Sequence, residues 1–338
     1  MRTDGVPEGV GGVLVLPASA YRRDRPRWLR ARRYGLGASD TAAVLGLSEY
    51  RTALDVWLDK TAEADPDDSD VSDAARYGHL LEGPVARDTV RRYPELGKLV
   101  PTPGLLAHPD FPWMLATVDY CLAPRGRRGA PVSALLEVKT TSDEAYRRKW
   151  IGGVPPASVQ VQCQQQLAVT GLDTAWVTCW KRGSASLAEP YPVARDPRVI
   201  GQIIGYAGAW WARHMIGGVR PEPVFEDAGK LAELFPADPA ADALQATPEL
   251  EDTFAALLDA RARMRAAEDD MAAAKFRIQA ALGERTALAS AAGEVLVTWN
   301  AVTSRRWDTK ALAADHPELA EHYRPAKTSR SFLVKAED

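Results

Sequence analysis

A chain of 338 residues, 46% apolar and 26% charged, can bury a sizeable core in roughly two domains. No apolar run is long enough to span a bilayer. Three scattered cysteines and five histidines argue against a disulfide framework, an iron–sulfur cluster and a zinc site. The net charge of −3 does not announce a nucleic-acid binder, so the distribution of charge has to carry that question.

Taken in chain order, residues 1–20 read as an N-terminal arm. The apolar stretch up to Leu16 has Asp4 and Glu8 and no net basic flank, a poor signal peptide, so a cytoplasmic placement is expected. The stretch Tyr21 to Arg33 holds Arg22, Arg23, Arg25, Arg27, Arg30, Arg32 and Arg33, and Asp59 to Asp73 is acidic. A basic strip opposite an acidic loop suits a protein that seats one polyanion in a groove; by itself the run reads more simply as a solvated arginine-rich arm. A short helix from Trp28 to Arg33 leads into Gly35-Leu-Gly-Ala-Ser39, and Ser39 or Asp40 can cap a helix to Leu45. Thr52 caps the next, with Leu54, Trp57 and Leu58 on one face. A polar loop over Glu63 to Ser72 precedes a longer helix, Asp73 to Tyr93, containing Gly78-His-Leu-Leu-Glu82.

From Lys98 the pattern turns to strands. Trp113 to Leu122 reads as one strand, Pro124 to Pro131 as a turn and Ser133 to Thr141 as the next strand. Val159 to Thr170 is a helix ended by Gly171, Ala175 to Trp180 a central strand, and Val199 to Met215 a helix ended by Gly217 and Gly218. The fold class is α/β (α+β): a core over 21–220 with a small mixed central sheet flanked by helices. Pro221 to Thr247 reads as a linker, and 248–338 as a second module. That module opens with a helix, Pro248 to Leu282, in which Leu250, Leu257, Met264, Met271 and Ile278 repeat every seven residues. Thr253, Ala260, Ala267, Ala274 and Ala281 follow three places later, so large and small residues alternate along one seam. Strands are expected over Glu294 to Ala301 and Ser331 to Lys335.

The chemistry concentrates in Leu135-Leu-Glu137-Val-Lys139. Side chains alternate along a strand, so Glu137 and Lys139 share a face and Val138 points into the core. Asp119 lies on the preceding strand, close enough to converge with them. Two carboxylates and a backbone carbonyl can hold a hard divalent cation, with a lysine to orient or deprotonate water and balance charge. An acid-x-Lys on a strand is by itself most often a surface ion pair. Glu82 offers a third carboxylate, and Gln162, which shares a helix face with Gln166, can position a water; each alone is otherwise a polar helix residue.

In sequence order, Trp28-Leu-Arg-Ala-Arg32 to Ser39-Asp40, Gly78-His-Leu-Leu-Glu82, Ala116-Thr-Val-Asp119, Leu136-Glu137-Val-Lys139 and Gln162 to Gly171 together resemble the lambda-exonuclease and YqaJ-type viral recombinase family of the PD-(D/E)xK nuclease superfamily. The tail, with Val297-Thr-Trp299, Trp307-Asp308 and Arg330-Ser-Phe332, is similar to that of many YqaJ-type proteins. The resemblance implies a restriction-endonuclease-like core followed by a long helix and a short β element. It implies a two-metal-type deoxyribonuclease using Mg2+ or Mn2+. Asp119, Glu137 and the Val138 carbonyl would be the main ligands, with Glu82 in support, and Lys139 and Gln162 would position the attacking water. Arg32 and Ser39 would grip a 5′-phosphate, with Arg33 and Trp28 beside them in the DNA-binding set. The implied activity is 5′→3′ degradation of double-stranded DNA to 5′-mononucleotides, leaving 3′ tails for recombination. A ring-shaped homo-oligomer, a single-strand annealing partner and a phage or prophage origin belong to the same expectation. A structure-specific or defence endonuclease and a non-catalytic DNA-binding protein are the alternatives.

Overall fold

The computed structural model describes residues 5–63, 73–126, 129–323 and 329–335. Residues 64–72 of the expected polar, acidic loop, residues 127 and 128 of the expected turn, and the Arg22 side chain lie outside the described set. The chain divides into two compact units, Met1–Leu231 and Ala232–Asp338.

The first unit opens with β1 (Val13–Pro17), α1 (Ala18–Arg23), α2 (Arg25–Arg33), α3 (Ala38–Val44), α4 (Ala53–Thr61) and α5 (Asp73–Arg92). Local chemistry sets several of these boundaries. The Asp24 carboxylate accepts from Arg27 N at the start of α2. Thr52 and Asp55 exchange side-chain and backbone hydrogen bonds of 3.0 and 2.9 Å, a capping box that starts α4. The cap of α3 differs from expectation. Gly37 is the cap residue, and the Asp40 carboxylate, one turn on, accepts from Gly37 N at 3.0 Å.

The strands β2 (Lys98–Pro101), β3 (Gly104–Ala107), β4 (Leu115–Thr117), β5 (Tyr120–Ala123) and β6 (Ala134–Thr141) follow. Then come α6 (Asp143–Lys149), α7 (Ala157–Thr170), β7 (Thr174–Lys181), β8 (Ser186–Leu187), β9 (Tyr191–Ala194) and α8 (Pro197–Trp210). The small sheet has the order β1-β3-β4, so the segment expected to be an arm is built into it. Gly104 permits that pairing: at φ 131 its backbone passes so close to β1 that a Cβ would stand 2.2 Å from the Leu16 carbonyl. The main sheet has the order β2-β5-β6-β7-β8, with β9 also paired to β7. Its β6–β7 pair is parallel and its β5–β6 pair antiparallel, a mixed sheet.

Two cores sandwich the main sheet. On one face Cys121, Leu135, Val177 and Cys179 pack with Cys163 and Leu167 of α7. On the other, Leu122, Leu136 and Val138 pack with Val85, Ala86 and Val90 of α5. The period-two alternation of β6 therefore aims Leu135, Glu137 and Lys139 at the α7 side. Gly171, at φ 73, ends α7 in the left-handed conformation. Trp210 and Trp211 pack against the core cluster of Leu36, Ala43, Val56 and Ala207.

One correction concerns Trp113 to Leu122, expected as a single strand. It is two strands in two sheets: Thr117 still pairs with Leu105, whereas Tyr120 pairs with Leu136. Val118 and Asp119 carry the chain across. A second correction concerns the linker, whose early part is docked in the first unit. Asp227, in a short 3-10 turn over Phe225–Lys230, is buried and accepts from Thr52 Oγ1 at 2.7 Å and Val224 N at 3.0 Å.

In the second unit a short helix, α9 (Leu231–Leu234), bridges the boundary, and α10 (Pro248–Leu282) runs for 35 residues. The antiparallel hairpin of β10 (Ala287–Ala289) and β11 (Val295–Thr298) and the helices α11 (Thr309–Asp315) and α12 (Pro317–His322) complete it. Residues 331–335, expected as a strand, have no regular structure; Phe332 and Leu333 are exposed, so no apolar face holds them to a sheet. Among the described residues no helix is long and apolar enough to cross a membrane.

Candidate active site

The crossing between β4 and β5 places Asp119 beside β6. Pairing of β5 with β6 begins at Tyr120–Leu136, so beyond that point β6 has no strand on this side. The Asp119 carboxylate takes the strand's place: its Oδ2 accepts from Val138 N at 2.8 Å. The N–H and C=O of one strand residue point to the same side, so the Val138 carbonyl faces the same edge.

On the α7 face, Glu137 is 2% exposed and held from three directions. Its Oε1 accepts from Lys139 Nζ at 2.6 Å and from Gln162 Nε2 at 2.6 Å, and its Oε2 accepts from Gln166 Nε2 at 2.8 Å. Lys139 also donates to Gln162 Oε1 at 2.8 Å, closing a ring of three side chains. That ring fixes the Gln162 amide, because its nitrogen must face the carboxylate and its oxygen the ammonium.

The other glutamines of α7 brace the site. Gln165 is fully buried, donates to the carbonyls of Leu36 and Leu115 at 2.8 Å each, and accepts from Thr41 Oγ1 on α3. Gln164 bonds Ala194 O and Asp196 N. Gln166 additionally reaches Thr117 O at 3.2 Å, the last residue of β4 before the crossing. Gln166 was visible in the sequence only as a neighbour of Gln162 on one helix face, and its hold on Glu137 is a tertiary contact.

Electrostatics follow from this crowding. Burial, then the carboxylates of Glu137 and Glu82, raise the Asp119 carboxyl well above its ordinary range. Burial alone would lower Lys139, but Glu137 and Asp119 outweigh it and hold the ammonium charged, above the usual lysine range. In this arrangement Lys139 donates to Glu137 and Gln162.

The oxygens present fit a hard divalent cation. Asp119, Glu137 and the Val138 carbonyl would offer an all-oxygen set of the kind Mg2+ or Mn2+ takes. A carboxylate has about four lone-pair positions, so three donors do not exhaust Glu137. A buried carboxyl raised by a neighbouring carboxylate, as Asp119 is, is also what a cation relieves. Among the described residues Gln166 Oε1 is buried without a hydrogen-bond partner, an acceptor suited to a coordinated water.

Glu82 stands apart from the hydrogen-bonded group around Glu137. Among the described residues no three His, Cys, Asp or Glu side chains gather closely enough to hold a metal ion. Glu82 lies on α5, which covers the sheet face opposite Glu137, and its Oε1 pairs with His79 Nδ1 at 2.8 Å one turn back. It stands near enough to Asp119 to raise that carboxyl, but as a neighbour.

The expected phosphate residues divide. Ser39 lines a cleft of about 310 Å3 together with Lys139, Gln162, Ser48, Tyr50 and Lys149. Arg32, near the end of α2, reaches toward the start of α3, where its Nη2 is 3.8 Å from Asp40. Asp40 is fully buried and also accepts from Lys60 Nζ at 2.7 Å and Arg51 Nη1 at 2.8 Å. Burial would raise Asp40, but the Lys60, Arg32 and Arg51 charges hold its carboxyl far below the ordinary range. Three cations thus surround one buried carboxylate, and Arg51 also pairs with Asp59 at 3.4 Å.

Trp28 is a correction. Trp28 is 2% exposed, packed with Leu16, Leu105 and Leu115 and edge-on to Tyr21, so its ring is unavailable to a base. Arg33 donates to Ala62 O at 3.1 Å and lines a separate hollow with Arg30 and Trp211. The pair Tyr50 and Lys149 was not foreseen. The Lys149 ammonium lies 4.8 Å from the exposed Tyr50 ring and 2.6 Å from Glu49 Oε2. The two are 99 residues apart, and no local spacing signals their meeting.

Residues 27–173 match the model of the YqaJ-like viral recombinase domain. Over 324 residues the chain is 29% identical to the uncharacterized protein YqaJ of Bacillus subtilis (strain 168), covering 92% of this chain and 94% of that protein. The crystal structure of an alkaline exonuclease (LHK-Exo) from Laribacter hongkongensis aligns with a TM-score of 0.46 at 18% identity, over 62% of this chain and 99% of that one. The matched segment contains Asp119, Glu137, Lys139 and Gln162.

Proposed function

We propose that the chain is a divalent-cation-dependent deoxyribonuclease that degrades duplex DNA from 5′ ends, releasing 5′-mononucleotides and leaving 3′ single-stranded tails for recombination. The observation that carries the reading is the hydrogen-bonded group of Glu137, Lys139, Gln162 and Gln166 beside Asp119, opening on a cleft that Ser39 also lines. Asp119, Glu137 and the Val138 carbonyl would hold the cation. Bound there, Mg2+ or Mn2+ supplies Lewis acidity toward a phosphate oxygen and a water of lowered pKa.

The chain's own groups do the rest. Lys139, held charged, donates to the anionic phosphate and stabilises the charge that grows on it. Gln162 fixes the direction of that ammonium. Ser39 contributes a hydroxyl and Arg32 a guanidinium to a terminal phosphate. Asp40 orients Arg32 without neutralising the three cations around it. Assembly into a ring around DNA and a single-strand annealing partner belong to the same reading.

Digestion of end-labelled linear duplex, beside a closed circle, tests it. The expected outcome is Mg2+-dependent loss of the 5′ label, faster from 5′-phosphorylated than 5′-hydroxyl ends, with the circle resistant. Equal rates on both ends would remove the roles of Arg32 and Ser39. Cutting of the circle would make the enzyme an endonuclease, and digestion unchanged in EDTA would end the metal reading.

A further inference from the structure

Among the described residues the seven-residue seam of α10 has no partner over most of its length. Leu250, Met264 and Met271 are 45%, 59% and 68% exposed. At 1.5 Å per residue the helix is about 52 Å long, and none of the other described helices of its unit exceeds seven residues. We propose that this face binds the same face of a second copy of the chain, as an antiparallel two-helix coil centred between residues 265 and 266.

Size alternation sets the direction. In that register every large residue meets a small one: Leu250 opposite Ala281, Leu257 opposite Ala274, Met264 opposite Ala267 and Met271 opposite Ala260. Uniform layers let two helices stay at one close distance. A parallel pair would stack methionine on methionine and alanine on alanine, alternating wide and narrow layers.

Charge complements the same register. Arg261 of one copy falls beside Glu268 of the other, and Arg263 beside Asp270; two-fold symmetry makes each contact twice, with no like charges opposed. Arg263 pairs with Asp259 of its own helix at 3.0 Å, an exposed contact that is readily exchanged. Charge alone also tolerates a parallel pair, so the choice rests on size. A third feature agrees. Met271, Ile278, Leu282 and Trp299 border a groove of about 410 Å3 beside the C-terminal part of α10. The antiparallel register brings the second copy's Phe254, 44% exposed, next to Lys275 at its edge.

Cysteine cross-linking in the full-length chain tests the proposal. The native Cys121, Cys163 and Cys179 are buried, and residues 250 and 281 are about 46 Å apart along one helix, too far to bond within a copy. Under mild oxidation the Leu250→Cys, Ala281→Cys double variant is expected to form a covalent dimer, and neither single variant should. In that cysteine background, R261E/R263E and E268R/D270R chains should each lose the cross-link, and an equal mixture should regain it. A dimer from Leu250→Cys alone would overturn the antiparallel register. No dimer from the double variant would show that something other than a second copy covers the face.

Discussion

At the scale of single residues, Glu137 is where structure and chemistry meet. It accepts three hydrogen bonds while lying beside Asp119, so removing its charge and removing its shape are different experiments. Glu137→Gln keeps the shape. It is expected to lower the rate of duplex digestion at least about a hundredfold, with near-native circular dichroism. Glu137→Ala also strands the Gln162 and Gln166 amides and costs roughly 1–3 kcal/mol for each buried group left unpaired. Asp40 gives the contrasting case of a charge kept for architecture. Asp40→Asn leaves Lys60 buried beside Arg32 and Arg51 without its counter-ion, at a cost of about 3–5 kcal/mol, to be read from urea unfolding. The sign of the pH effect follows from the depressed folded-state value. The stabilisation is complete above the unfolded carboxylate value of about 3.9 and is lost as pH falls below that toward the folded value. The native chain should therefore lose stability steeply in that acid range, and Asp40→Asn should lack that component.

At the scale of elements, α7 is the brace of the site. One helix supplies Gln162 and Gln166 to Glu137, and Gln165 to α3 and β4. Gln165 is thus the link between the helix carrying Ser39 and the strand leading to Asp119. Gln165→Leu has similar bulk but leaves two buried carbonyls and the Thr41 hydroxyl without that partner. A loss of more than about 2 kcal/mol is expected. The same variant should narrow the rate difference between 5′-phosphate and 5′-hydroxyl ends, because α3 is no longer pinned. An unchanged end preference with a lowered melting temperature would confine Gln165 to stability.

At the scale of the whole molecule, the site residues all lie in the first unit, anchored near its end by the buried Asp227 with its bonds to Thr52 and Val224. Residues 236–247 are exposed and without helix or strand. Limited proteolysis is expected to cut there first. The larger fragment, identified by mass, should keep magnesium-dependent digestion of short duplexes. Loss of all digestion on that cut would show that the second unit contributes to the reaction itself.

Much of this protein is written locally. Period-two alternation around Val138 places Glu137 and Lys139 on one face, and the capping residue Thr52, the terminator Gly171 and the heptads of α10 act within one or two turns. What the tertiary structure decided is long-range. The chain changes sheets between Thr117 and Tyr120, although the strand propensity of Trp113 to Leu122 is unbroken, because two different strands compete for its two halves. Glu82 stays a neighbour because α5 packs on the opposite face of β6 from Glu137. Trp28, which had read as a DNA contact, is core because β1 and β3 fold over it, and Lys149 meets Tyr50 across 99 residues. The trio of Asp119, Glu137 and Lys139 could be named from spacing because two of its members sit two residues apart. Its third member, and the glutamines that hold it, were placed by sheet pairing and helix packing, which join residues that no local period connects.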